Sequence, residues 1–255
     1  MIKNFIALLV FIVIVHLAYV GYVRPEADNI IQAAKQESRS TPREIVVIIK
    51  DYEQEICFIL MFWGCFMILG DYRRILGTKY LYTLDLIKEL SDEDEKNEAN
   101  QPNIGLLIEN IDKKLPKETL HTPLIQTVRS SLLRYSITNN VQNLSDTINS
   151  NLEAISVRYD SENTMIRYLI WAIPSIGFIG TVRGIGQALS LADEALLGDI
   201  SGMTNSLGVA FNSTFVALLI SIFMMFLFHQ LQRLQDTQIL DTQEYCEKFI
   251  VNRIR

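Results

Sequence analysis

The chain has 255 residues, of which 49% are hydrophobic, and a formal net charge of −6. The negative charge gives no reason to expect nucleic acid binding, and the three cysteines (Cys57, Cys65 and Cys246) show neither a metal-binding spacing nor a disulfide framework. The hydrophobic residues gather into four runs instead of spreading along the chain as in a soluble protein, which indicates a membrane protein.

The first run, Phe5–Val23, is long enough to cross a bilayer as a helix, which takes about 20 residues. We interpret it as a retained anchor, because it is longer than the usual core of a signal peptide and no small-x-small cleavage site follows it. A polar stretch comes next. Within it, Thr41-Pro42-Arg43-Glu44 has the features of a helix start, and we expect that helix to continue into the second span.

The second run, Ile56–Leu69, reaches spanning length if its helix continues to Tyr72 and Arg73, whose polar tips can reach the interface. The long polar part that follows is predicted to be helical, because its apolar residues repeat at helical spacing. The acidic stretch Ser91–Pro102 interrupts it, and we expect no ordered structure there. The repeating residues are Leu124, Val128, Leu132 and Leu133, continued by Ile137, Val141, Leu144 and Ile148.

The last two runs are roughly Tyr168–Val182 and Leu207–Phe228. Lys and Arg residues follow the second span and precede the third, while Ser190–Ser206 has none, so we place the long polar part in the cytoplasm and the short connection outside. The five basic residues within Arg24–Glu55 argue against this orientation for the first span. The sequence thus predicts an all-α membrane protein with four transmembrane helices (1–23, 56–73, 167–189 and 207–229), external segments 24–55 and 190–206, a cytoplasmic helical domain 74–166 and a cytoplasmic helical tail 230–255.

The third and fourth spans each carry a stripe of small and hydroxyl-bearing residues at spacings of three and four. Such stripes let two helices approach closely, and a hydroxyl group in a lipid-embedded contact is costly unless it has a partner or water. We predict a helix-packing seam formed by Pro174, Gly177, Gly180 and Gly184 on the third span and by Ser206 and Ala217 on the fourth.

Two threonines of these spans are predicted to lie at the same depth. At a rise of about 1.5 Å per residue, Thr181 lies about 21 Å from Arg167 at the inner end, and Thr214 lies about 22 Å from His229. Two hydroxyls at one depth can line a narrow polar path. The alternative is that they bond back to their own helices and the stripes serve packing only. Neither stripe contains an acidic residue, so any ion carrier must come from elsewhere.

The third-span motif Pro174-x-x-Gly177-x-x-Gly180-Thr181-Val182-x-Gly184-Ile185 resembles the signature of the MotA/TolQ/ExbB proton channel family. The segment Ser206–Ala217 is similar to the last helix of that family, and the likeness covers roughly Arg158–Arg233. The resemblance implies a homopentameric ring in the bacterial inner membrane, around two copies of a single-span partner of the MotB/ExbD/TolR kind. That partner carries an essential aspartate, past which protons or sodium ions flow to drive mechanical work.

The resemblance also suggests an ion pathway, although the fourth span departs from the family pattern. Thr181 matches the threonine that faces the path in the family. Ala210 stands where the TolQ/ExbB branch has a threonine, Ser213 where it has a glycine, and Asn205 where ExbB-like members have an acidic residue. The candidate pathway is therefore Thr181, Ser213, Thr214 and Ala210, and the four predicted spans are closer to the MotA branch.

The expected function is that of an ion-driven motor subunit. We expect no cofactor; the only bound species would be the transported proton or sodium ion. The alternative is a non-conducting membrane scaffold whose seams only pack helices. We do not expect an enzyme, because the sequence has no nucleophile elbow, phosphate-binding loop, metal-ligand spacing or paired membrane carboxylates. His16 and His229 lie in or beside the spans as candidate proton carriers, although His229 is better explained as an interfacial cap.

Overall fold

The structure, a computed structural model, describes residues 2–36, 44–86, 88 and 104–254. Helices make up 92% of these residues and strands none, so the predicted all-α class is confirmed. The helices are α1 (Ile2–Ala18, extended by a π-helical turn Tyr19–Val23), α2 (Arg24–Gln36), α3 (Ile45–Ile48), α4 (Tyr52–Thr78, extended by a 3₁₀ turn Lys79–Thr83), α5 (Ile104–Lys114), α6 (Lys117–Leu120), α7 (Pro123–Thr138), α8 (Val141–Ser190), α9 (Ala192–Leu196), α10 (Ser201–Cys246, extended by a π-helical turn Glu247–Val251) and α11 (Asn252–Ile254).

Four continuous helical stretches in the described part of the chain are long and apolar enough to cross a membrane. They are Ile2–Ala34, Tyr52–Thr83, Val141–Ser190 and Ser201–Val251. The predicted number of four spans is thus confirmed by length and composition. The chain divides into two compact units, a first of Met1–Gly70 with Thr164–His229 and a second of Asp71–Asn163 with Gln230–Arg255.

In the first unit, α1 packs along α4 through aromatic and aliphatic side chains. The ring of Phe11 stacks on Phe62, with centroids 6.1 Å apart, and the indole nitrogen of Trp63 donates to the carbonyl of Asn4 at 2.9 Å. Large apolar side chains of this unit are nevertheless exposed, which is the pattern of a surface that faces lipid or neighbouring subunits. Exposed examples are Phe178, Ile179, Phe211, Phe215 and Ile222.

The helix predicted to run from Thr41 into the second span is interrupted, so that prediction is wrong. The short α3 ends at Ile48, and α4 begins at Tyr52. The side-chain amide of Gln54 donates to the carbonyl of Ile48 at 3.0 Å, which satisfies a backbone acceptor that the helix end leaves free. The predicted start at residues 41–43 lies outside the described residues.

The core of the second unit contains most of the periodic apolar residues of the predicted cytoplasmic part. Leu124, Val128, Leu132, Leu144 and Ile148 are buried in one cluster. Leu133 and Ile137, which the pattern places on the same face, are 46% and 72% exposed. Both lie inside α7, to one side of the buried stripe of Leu124, Val128 and Leu132. α7 ends at Thr138, and Asn139 follows with a positive φ of 45°, so the spacing does not continue unchanged into α8. The predicted disordered stretch Ser91–Pro102 lies outside the described residues.

Buried amide side chains join α8 and α10 within the second unit. The side-chain amides of Asn163 and Gln235 bond to each other reciprocally, at 2.7 and 3.3 Å. Tyr159 donates to the amide oxygen of Gln238 from a buried position. Because a buried polar group is costly without a partner, this polar layer fixes which residues of the two helices face each other.

Near the surface of the second unit, Arg129 donates two hydrogen bonds to the carboxylate of Asp112, at 2.8 and 3.0 Å. These hydrogen bonds hold the pKa of the Asp112 carboxyl below its usual value. The pair joins α5 to α7 and is largely exposed to solvent.

Candidate functional site

Helices α8 and α10 approach each other most closely where glycine faces small side chains. A Cβ on Gly184 would lie 2.8 Å from both the backbone nitrogen of Ala210 and the carbonyl oxygen of Ser206. A Cβ on Gly177 would overlap the Cβ of Ala217. Only hydrogen at these positions allows the helices to come so close, so the structure brings the predicted seam residues of the two spans together.

Thr181 and Thr214 meet inside this contact, as their predicted depths require. Their hydroxyl groups are hydrogen-bonded to each other. Thr181 also lies 3.0 Å from the carbonyl oxygen of Ala210, and Thr214 lies 3.2 Å from that of Gly177. Each hydroxyl has one proton to donate, so the two protons have three good acceptors: the two carbonyls and the neighbouring hydroxyl. Their role in an ion path remains a prediction.

Ser213 occupies a different part of the seam from the threonine pair. Its hydroxyl donates to the carbonyl of Val209 in its own helix at 3.0 Å, which is the backbone bond of the packing interpretation. A Cβ on Gly180 would lie 2.7 Å from the Ser213 hydroxyl oxygen, so Gly180 leaves the room that Ser213 occupies. Of the candidate pathway residues, Thr181, Thr214 and the Ala210 carbonyl meet at one point, and Ser213 lies against Gly180 instead.

Pro174 lies inside α8 and lacks the amide hydrogen that would bond to the carbonyl four residues earlier. That carbonyl belongs to Ile170, and the hydroxyl of Ser221 on α10 donates to it at 3.0 Å. The predicted seam therefore has a polar connection across the helices at its Pro174 end. Ser221 belongs to the same stripe of small residues, but its partner is not evident from spacing alone.

A partly buried ion pair beside the seam was not predicted from the sequence. Arg183 donates two hydrogen bonds to the carboxylate of Glu53, one from Nε at 2.7 Å and one from Nη2 at 2.8 Å. The Glu53 side chain is 10% exposed and that of Arg183 is 38% exposed. The only local signal in the sequence for this site is the position of Glu53 in the first turn of α4, where the helix dipole favours a negative charge.

A second ion cluster connects α1, α2 and α4. The Glu55 carboxylate contacts Nδ1 of His16 at 2.7 Å and forms an ion pair with Arg24. The Arg24 guanidinium also lies over the ring of Tyr52, 4.1 Å from its centroid. His16, a candidate proton carrier by sequence, is thus paired with a carboxylate. Nowhere in the described ranges do three or more His, Cys, Asp or Glu side chains form a group that could hold a metal ion.

The model of the MotA/TolQ/ExbB proton channel family matches residues 116–244, which are 129 of the 255 residues. The matched range contains the whole of α8 and most of α10, and so both sides of the seam. It begins about 40 residues before Arg158, where the likeness of the sequence motifs begins. Comparison with curated proteins and with solved structures gives no match.

Proposed function

Since this chain belongs to the MotA/TolQ/ExbB proton channel family, we propose that it is the ring-forming subunit of an ion-driven membrane motor. The family is one of membrane channels and not of enzymes, and the four apolar helices make this chain a multi-pass membrane protein. The proposal adds a homopentamer around two copies of a MotB/ExbD/TolR-like single-span partner, in the bacterial inner membrane. The exposed apolar side chains of α8 and α10 suit such an assembly.

The observation that carries the proposal is the hydroxyl pair of Thr181 and Thr214 within the glycine seam. The two hydroxyls have more acceptors within reach than protons to donate. Each can therefore donate a hydrogen bond to a neighbouring carboxylate, or accept one from a protonated carboxyl, by rotation about its C–O bond. We propose that the aspartate of the partner binds an ion beside this pair and releases it towards the opposite side of the membrane. The seam has no acidic residue of its own, so this chain shapes the path and the partner provides the titrating group.

A non-conducting scaffold is the second candidate, and one observation favours it. The seam hydroxyls have carbonyl acceptors nearby: Ser213 bonds to Val209, Ser221 to Ile170, and Thr214 to Gly177. Such bonds satisfy the hydroxyls without any ion, as packing alone requires.

Ion flux through the reconstituted complex tests the proposed function. The full chain is purified from its native membrane with its co-purifying partner and inserted into liposomes that contain a pH-sensitive dye. We expect proton flux from the wild type and its loss in Thr181→Val by about tenfold or more, equivalent to about 1.4 kcal/mol of added barrier. Thr181→Ser keeps the hydroxyl and should conduct, and Ser175→Ala removes an exposed hydroxyl of the same helix as a control.

The amount of assembled complex is measured by size-exclusion chromatography for each variant, so that flux is compared per complex. Full flux in Thr181→Val, or an impermeable wild-type complex, would favour the scaffold. Repeating the assay with a sodium gradient at equal pH on both sides of the membrane distinguishes protons from sodium ions. A sodium-driven path predicts sodium uptake that Thr181→Val abolishes.

A further inference from the structure

The ion pair between Glu53 and Arg183 places a fixed positive charge, and its counter-charge, beside the seam. We propose that Glu53 is a positioning residue for ion flow: it neutralises Arg183 and holds it away from the path, so that cations can pass. The inference rests on the proposed function. It assigns a role in conduction to a helix, α4, that carries none of the predicted seam or pathway residues.

The geometry of the pair is that of a strong and directional contact. Two guanidinium nitrogens of Arg183 reach the two carboxylate oxygens of Glu53, at 2.7 and 2.8 Å, which fixes the orientation of both side chains. Glu53 is buried, so its negative charge is held in place where water screens it little. Arg183 is more accessible, so ions in solution can reach its side chain.

The pair lies next to residues of the candidate pathway. A Cβ on Gly180 would be 3.1 Å from Cγ of Glu53 and 2.7 Å from the hydroxyl oxygen of Ser213, so the Glu53 side chain and Ser213 border the same small space. Arg183 follows Thr181 by two positions in α8. Residues at this spacing face different sides of a helix but differ in depth by only about 3 Å, so a guanidinium released from Glu53 would be an unpaired cation at nearly the same depth as the threonine pair.

Neighbouring charges on α4 and on the turn before it have partners of their own. Glu55 is paired with Arg24 and His16, and Asp51 lies 3.5 Å from the ammonium group of Lys50 and also interacts electrostatically with Arg183. Glu53 is the carboxylate that accepts hydrogen bonds from Arg183 directly. Without Glu53, the positive charge of Arg183 would repel a passing proton or sodium ion. This repulsion is stronger in a medium of low dielectric constant than in water.

The contact could also serve only to hold α4 against α8, and the two roles differ in their response to salt. Repulsion by an unpaired and accessible charge is screened at high ionic strength, because the Debye length falls from about 30 Å at 0.01 M to about 3 Å at 1 M. A packing defect does not recover in this way.

The test measures flux per assembled complex in the liposome assay, at low and at high choline chloride concentration. We expect Glu53→Gln to lower flux by about tenfold at 0.01 M and by only about twofold at 1 M. Glu53→Gln/Arg183→Gln should conduct within about twofold of the wild type, because it leaves no unpaired charge. Glu55→Gln is the matched control, since it removes a buried carboxylate of the same helix that does not contact Arg183.

Wild-type flux in Glu53→Gln overturns the inference, as does a loss that neither salt nor Arg183→Gln relieves. If Glu53→Gln does not assemble, the flux of Arg183→Gln alone tests the inference. It leaves an anion, so we expect flux at least equal to that of the wild type, and a tenfold loss contradicts the proposal. Thr181→Val is measured in the same series. If it blocks flux while Glu53→Gln does not, only this inference fails; an impermeable wild type overturns the proposed function and the inference together.

Discussion

The hydroxyl of Ser221 takes the place of the amide hydrogen that Pro174 lacks. Proline inside α8 leaves the carbonyl of Ile170 without its helical donor, and Ser221 on α10 donates to that carbonyl at 3.0 Å. A residue that weakens one helix is therefore compensated by a residue of its neighbour. The consequence is that the backbone of α8 depends on α10 at this position.

We expect Ser221→Ala to destabilise the protein by about 1 kcal/mol, because the Ile170 carbonyl loses its donor in a contact that excludes water. Thermal unfolding of the purified complex in detergent measures the effect. Ser175→Ala is the control, since the Ser175 hydroxyl is exposed and bonds to Trp171 of its own helix. Equal stability of the two variants would contradict the compensating role of Ser221.

Gly184→Ala should disrupt the seam, whereas Gly186→Ala should not. A Cβ at residue 184 would lie 2.8 Å from backbone atoms of α10, and backbone cannot move aside as a flexible side chain can. Overpacking of this kind costs about 1–3 kcal/mol. Gly186, on the same helix, has open space around its Cβ position. Size-exclusion chromatography should show less assembled complex for Gly184→Ala only, and equal yields would rule out the close contact.

In the second unit, Asn163→Leu should destabilise the chain more than the double variant Asn163→Leu/Gln235→Leu. The single change leaves the buried amide of Gln235 without a partner, at a cost of about 1–3 kcal/mol. Replacing both amides removes that penalty. Chemical unfolding of the wild type, both single variants and the double variant measures the coupling. Additive effects would show that the two amides do not depend on each other.

Arg129 lowers the pKa of Asp112, which predicts a pH dependence of stability. A carboxyl whose pKa is lower in the folded state contributes stability above its unfolded pKa of about 3.9, and this contribution disappears as the pH falls through the folded pKa. The pair is exposed, so we expect only a few tenths of a kcal/mol. Asp112→Asn should therefore destabilise the protein slightly at pH 7 and not at pH 2. A larger effect in acid would have the wrong sign.

The close contact of α8 and α10 was predictable because it depends on local spacing. Residues such as Gly177 and Gly184 recur at helical intervals, and the helix rise places Thr181 level with Thr214. Each of these inferences uses only the geometry of one regular helix. The positions of the seam residues on their helix faces therefore follow from sequence alone.

The ion pairs were not predictable in the same way. Glu53 and Arg183 are 130 positions apart, and their contact depends on how α4 packs against α8, which no local pattern determines. The irregular stretch Ile49–Asp51 interrupts the helix that the sequence predicts from Thr41 onward, so α4 begins at Tyr52 and Glu53 lies in its first turn. In the second unit, Ile137 is exposed near the end of α7, and the break at Asn139 stops the spacing from continuing unchanged into α8.

The threonine pair has two hydrogen-bond arrangements, which differ in the direction of the bond between the hydroxyls and in the carbonyl that accepts the second proton. In one, Thr181 donates to Thr214, which donates to the Gly177 carbonyl; in the other, Thr214 donates to Thr181, which donates to the Ala210 carbonyl. Both use two protons and require no movement of a heavy atom. The dipole of the hydroxyl pair can therefore reverse while the backbones of the two helices stay in contact. A change of polarity at the centre of the seam requires no change in helix packing.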